Sequence, residues 1–147
     1  MTGYLEPAAA AADSASLRLF CFHHAGGGAS GYRTWQRALG PHTAVRPVLL
    51  PGRERRSGEA RFDDLEPLIA DLDVQLDEHL TEPYVFFGHS MGALLAYRLA
   101  AWREHTTALS EVRILPGDHF FLFDRPDDLF DHLRPLLSGC VAARNVR

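Results

Sequence analysis

The pentapeptide Gly88-His89-Ser90-Met91-Gly92 follows the apolar run Tyr84-Val85-Phe86-Phe87 and leads into a stretch rich in Ala and Leu. A buried strand that turns sharply into a helix, with a serine at the turn and glycines on both sides, is the G-x-S-x-G nucleophile elbow. The glycines are needed because the turn crowds the backbone on each flank of the serine. The turn lifts the Ser90 hydroxyl clear of the sheet and aims the N–H of Met91 at whatever the serine attacks. A serine used in this way requires a histidine. The best placed is His119, only 29 residues downstream.

The pattern around the elbow points to alternating strands and helices. Strands are expected at Leu17–Phe22, Val45–Leu50, Tyr84–Phe87 and Glu111–Leu115, and helices at Tyr32–Leu39, Phe62–Leu80, Gly92–Trp102 and Asp127–Leu137. In the longest helix Leu65, Leu68, Ile69, Leu72, Leu76 and Leu80 share one side, and Asp63, Asp64 and Glu66 near its start suit the helix dipole. The strands around Phe20 and Phe86 read as buried on both faces. This predicts an α/β fold with a mostly parallel sheet of about four strands flanked by helices. The chain, 147 residues with 46% apolar content, suits one domain. Residues 17–138 are expected to form it, with a disordered tail at 1–16 and a C-terminal tail at 139–147. A net charge of −4 argues against nucleic acid as a partner. Cys21 and Cys140 lack metal or disulfide spacing, so no metal and no cofactor is expected and a cytoplasmic setting is the default. No run is long enough to span a membrane, and no signal peptide is read at the start.

Three further segments carry chemistry. After the first strand comes His23-His24-Ala25-Gly26-Gly27-Gly28, where backbone N–H groups can face a developing anion. Ala25 or Gly26 is the candidate donor beside Met91. Gly26, Gly28 and Gly31 also fit the dinucleotide pattern G-x-G-x-x-G, with Glu54 at the distance that pattern wants, but this leaves Ser90 and His119 without a role. His23 and His24 read as loop-packing residues. The segment Pro51-Gly52-Arg53-Glu54-Arg55-Arg56 reads as a solvated loop or as a basic rim for an acidic partner or a phosphate. In Pro116-Gly117-Asp118-His119-Phe120-Phe121, His119 follows the last strand on a loop, where a general base to Ser90 belongs.

Together, these four segments in this order resemble the type II (editing) thioesterases of polyketide and nonribosomal peptide synthesis, within the α/β-hydrolases. The resemblance runs from about Leu17 to Leu137. It implies hydrolysis of acyl groups from the phosphopantetheine thioester of an acyl or peptidyl carrier protein. Ser90 would be the nucleophile, His119 the base, and the N–H groups of Met91 and Ala25 the oxyanion hole. Members of that family carry a helical lid, further strands and a catalytic aspartate between the elbow helix and the histidine. Here Tyr97-Arg98-Leu99-Ala100-Ala101 runs straight into Trp102-Arg103-Glu104-His105, so a deletion is placed near Leu99–Trp102. The expected sheet order is second, first, third, fourth strand, with a newly exposed edge that invites a homodimer. Glu104, Glu111, Asp118, Asp124, Asp127 and Asp128 are the candidates for the acid. A weakened thioesterase is the first expectation. A catalytically inactive remnant that binds carrier protein or self-associates is the alternative, and a generic carboxylesterase the third.

Overall fold

A computed structural model describes residues 3–7, 14–103 and 121–144. Among these, three parallel strands form one sheet in the order β2-β1-β3, with β1 at Leu17–Phe22, β2 at Thr43–Val48 and β3 at Tyr84–Gly88. Helix α1 (Trp35–Leu39) joins β1 to β2, and α2 (Leu65–Leu76) carries the chain across β1 to β3. The elbow helix α3 (Met91–Arg103) follows β3, and α4 (Phe121–Asp124) and α5 (Pro126–Arg144) close the described chain. The predicted order holds for the first three strands. The predicted fourth strand at Glu111–Leu115 lies outside the described residues.

Period-two alternation in β1 divides the core into two layers. Phe20 and Phe22 face α2 and α3, packing with Val48, Leu72, Leu76, Leu95 and Leu99. Leu17, Leu19 and Cys21 face the opposite layer with Trp35, Val45, Leu129, Phe130 and Leu133. Side chains of β3 split the same way, Phe86 to the first layer and Phe87 to the second. Phe20 is fully buried, but all of β3 is only half-buried. Both faces of β3 are therefore packed, as expected, though less completely than those of β1: among the described residues β3 is an edge strand with one neighbour.

Element boundaries moved for local reasons. Helix α2 begins at Leu65, not Phe62, with Asp64 extended ahead of it. Pro67 has no N–H to give to the preceding turn, so it is accommodated at least cost in the first turn of a helix. The helix ends in a single 3-10 turn at Asp77–His79. The predicted helix over Tyr32–Leu39 is a 3-10 turn, Ala29–Tyr32, followed by α1. Strand β2 sits two residues early because the Gln36 side chain ties the preceding turn. Its amide donates to the carbonyls of Gly40 and Thr43 and its oxygen accepts from the Val45 N–H, at 2.8–2.9 Å. Helix α5 starts at Pro126 and runs past Leu137, through the expected tail, to Arg144. Val141, one turn beyond Leu137, still packs on the second layer.

Residues 3–7 differ most from the expected loose tail. Leu5 forms an antiparallel bridge with Val48, and the Leu49 N–H donates to the Tyr4 carbonyl at 2.6 Å. This segment covers the outer edge of β2. Tyr4 is 2% exposed, donates its hydroxyl to Asp71 and lies under the Arg56 guanidinium, 4.3 Å from the ring centroid.

Candidate active site

Ser90 sits between β3 and α3 with φ of +56°. A non-glycine residue in this left-handed region costs about 1–2 kcal/mol. The surrounding backbone enforces it. A Cβ on Gly88 would lie 2.2 Å from the Gly92 carbonyl oxygen, and one on Gly92 would lie 1.9 Å from the Phe22 carbonyl oxygen. The first glycine thus lets the strand run under its own helix, and the second lets that helix press on the end of β1. The His89 N–H donates to Phe22 O at 3.1 Å, extending the β1–β3 ladder to the turn. Ser90 itself is exposed. Met91 is the first residue of α3, so its N–H has no acceptor within the helix.

Gly92 also abuts the His23 carbonyl, which brings the loop after β1 against the elbow. Ala25 and Gly26 are exposed on that loop, and the Gly27 N–H closes a turn on His24 O at 3.0 Å. His23 is buried and shares a 2.8 Å hydrogen bond between Nδ1 and the His24 carbonyl. Burial lowers its pKa below 6.5, so the ring is neutral and serves packing, as expected. His24 is different. Its ring meets His89 at 5.2 Å and Phe123 of α4 at 5.4 Å, and Phe123 meets His89 at 6.0 Å. This three-ring cluster joins the loop, the elbow and the chain that follows residue 120. Sequence reading missed it because ring packing between distant segments leaves no local pattern.

The run Arg53-Glu54-Arg55-Arg56 is not a free basic rim. Arg56 is 8% exposed and donates to Leu49 O at 2.9 Å and to Glu59. Arg55 donates to the carbonyls of Gly3 and Leu5 and to Glu6, all near 3.0 Å. Both hold down residues 3–6, which leaves Arg53. Glu54 accepts from the Ser30 N–H at 3.1 Å and the Ser30 hydroxyl at 2.5 Å. That bond, and the 3-10 turn where a dinucleotide site needs the start of a long helix, remove the Gly26–Gly28–Gly31 fingerprint as a cofactor reading.

Of the other predicted site residues, His119, Glu104, Glu111 and Asp118 lie outside the described residues. Asp124 ends α4 beside Phe123, exposed. Asp127 is in the first turn of α5, and Asp128 in that turn pairs with Arg125 at 3.5 Å. Among the described residues no cluster of His, Cys, Asp and Glu is arranged to hold a metal, and no helix is long and apolar enough to cross a membrane. A cavity of about 290 Å³ lined by Leu39, Thr43, Leu137 and Val141 opens where β2 begins, at the opposite end of the strands from Ser90.

The family model described as thioesterase domain matches residues 17–101. Linear gramicidin dehydrogenase LgrE of Brevibacillus parabrevis is 48% identical over 120 residues, 81% of this chain and 46% of that protein. Gramicidin S biosynthesis protein GrsT of Aneurinibacillus migulanus is 38% identical over 107 residues, 72% of this chain and 42% of that protein. Among solved structures, the RedJ thioesterase from the prodiginine pathway of Streptomyces coelicolor superposes with a TM-score of 0.60 at 50% identity, covering 63% of this chain and 35% of that one. The type II thioesterase BorB from the borrelidin cluster gives 0.61 at 36% identity, covering 69% and 41%. The chain spans less than half the length of each of these relatives.

Proposed function

Because the chain belongs to the thioesterase domain family, we propose that it hydrolyses acyl thioesters carried on the phosphopantetheine arm of an acyl or peptidyl carrier protein, in an editing role. The observation that carries this is Ser90, exposed at φ +56° between two glycines that admit no side chain. In this reading the Ser90 Oγ attacks the thioester carbonyl carbon and gives its proton to His119. The oxyanion is met by the N–H of Met91, at the positive end of α3, and by the N–H of Ala25. The C–S bond breaks, the thiol leaves with the proton from His119, and water then releases the acyl group by the same route. Among the described carboxylates, Asp124 has the best claim to orient His119, since Phe123 beside it packs on the rings of His24 and His89. Its two cysteines are free thiols, which supports a reducing, cytoplasmic setting.

A second reading has its own support. The family match stops at residue 101, inside the stretch where the sequence places a deletion. A chain without an orienting acid keeps its oxyanion hole and loses about 10⁴-fold in kcat. It could then survive as a binding remnant or a self-associating one. One experiment separates the two: release of acyl groups from an acyl-phosphopantetheine thioester by the purified chain, beside Ser90→Ala. Release abolished by Ser90→Ala is expected. Equal rates for both, from folded protein, would leave only the remnant.

A further inference from the structure

We infer that Glu54 is a positioning residue for the loop that presents the Ala25 N–H, an inference that rests on the thioesterase reading above. The loop leaves β1 at Phe22 and reaches the 3-10 turn Ala29–Tyr32. Its near end is fixed by the contact of Gly92 with the carbonyls of Phe22 and His23. Its far end is fixed by Glu54, whose Oε1 accepts both the N–H and the hydroxyl of Ser30, at 3.1 and 2.5 Å. The Ser30 N–H lies in the opening turn of a helix and has no acceptor there, so the carboxylate supplies one. The contact is direct enough to dictate sequence: a Cβ on Gly28 would lie 2.3 Å from Glu54 Oε1.

A carboxylate that is itself exposed positions nothing unless its own backbone is held. Glu54 has φ of +43°, a second left-handed non-glycine residue. It opens a 3-10 turn that ends in the buried Arg56. Arg56 is clamped by Leu49 O, by Glu59 and by the Tyr4 ring. Support therefore passes from residues 3–6 through Arg56 and Glu54 to Ser30 and the glycine loop. The basic groups facing Glu54 are Arg33, which is charged, and His23, whose buried ring is neutral. Neither replaces the single carboxylate oxygen that accepts both bonds from Ser30.

The test uses the purified chain, with Glu54→Ala and Glu54→Gln, an acyl-phosphopantetheine thioester as substrate, and amide hydrogen exchange. The Gln side chain keeps an oxygen that can accept from Ser30; Ala does not. Glu54→Ala is expected to lower kcat by about 10- to 100-fold, as a displaced oxyanion donor does, with KM unchanged. Exchange across residues 24–30 should rise, while exchange in β1 and α2 stays at the parent level. Glu54→Gln should restore most of both. Parent-like kcat in Glu54→Ala overturns the inference, and so does unchanged exchange over residues 24–30. Absence of Ser90-dependent turnover in the parent chain is a different failure: it removes the thioesterase reading, and Glu54 is then an anchor of a loop with no catalytic task.

Discussion

Ser90 bears a conformational cost that its flanking glycines make unavoidable. Met91 continues directly into α3 and Gly88 ends β3, so the left-handed φ of +56° falls on the one residue between His89 and the helix. Strain of this kind persists where the surrounding fold over-determines it, and it clusters at functional sites. Ser90→Gly is therefore expected to raise stability by about 1 kcal/mol in urea titration, because glycine adopts this φ freely. Ser90→Ala keeps the Cβ and should leave stability within about 0.5 kcal/mol of the parent. A destabilised Ser90→Gly would mean that the turn is not strained. The same local logic explains why the elbow could be read from five letters.

Helices are held by stripes that the sequence spaced correctly and by ends that it placed less well. Ile69, Leu72 and Leu76 of α2 are buried, whereas Val74 on the opposite side is 71% exposed. Leu72→Ala should cost about 2–5 kcal/mol by urea unfolding and Val74→Ala less than about 0.5 kcal/mol. Comparable losses would show that α2 does not bury this face. Helix α3 is tied by ion pairs to α2, Arg98 with Glu66 and Arg103 with Asp73, and to the 3-10 turn after it, Arg103 with Asp77. Its outer side leaves Leu94, Tyr97 and Trp102 exposed. Boundaries were legible only where a residue forbids continuation. Gly40, with φ of +78°, ends α1 as expected, but Gly139 does not end α5 because Val141 beyond it still finds apolar contacts.

At the scale of the molecule, residues 3–7 close one edge of the sheet. Tyr4→Ala removes a buried ring and the platform beneath Arg56. It is expected to cost about 3 kcal/mol and to raise self-association in light scattering, since an uncovered β2 edge is a template for pairing. Parent-like stability would show that the segment adds nothing to the fold. Acid should weaken the protein. Burial lowers the pKa of His23 and of His79 from 6.5, so below that pH the unfolded chain takes up protons that the folded one refuses. Stability then falls as pH drops through about 6.5. At Glu54 burial raises the pKa, but the bonds from Ser30 outweigh it, and the net value is below 4.5. Its contribution is present above pH 4.5 and is lost on further acidification. Thermal unfolding should show a Tm that declines from pH 7 to pH 5, and His23→Gln should flatten part of that slope. A Tm independent of pH in this range would contradict the buried neutral state of His23.

The sequence alone determined what depends on near neighbours: the alternation of Leu19, Phe20, Cys21 and Phe22 across two layers, the stripe of α2, and the turn that presents Ser90. Each is written in spacing, because side-chain direction repeats every 2 or about 3.6 residues. The order β2-β1-β3 was expected too, but from the family resemblance and not from spacing, which leaves the choice of strand neighbours open. Only the tertiary structure decided what joins segments far apart in the chain. Arg55 and Arg56 look like a charged loop until residues 3–6 lie beneath them, and Glu54 resembles a ribose ligand until Ser30 occupies it. A charged side chain reads the same in sequence whether it faces water or a carbonyl some 50 residues away. Its partner is chosen by the packing of the whole fold.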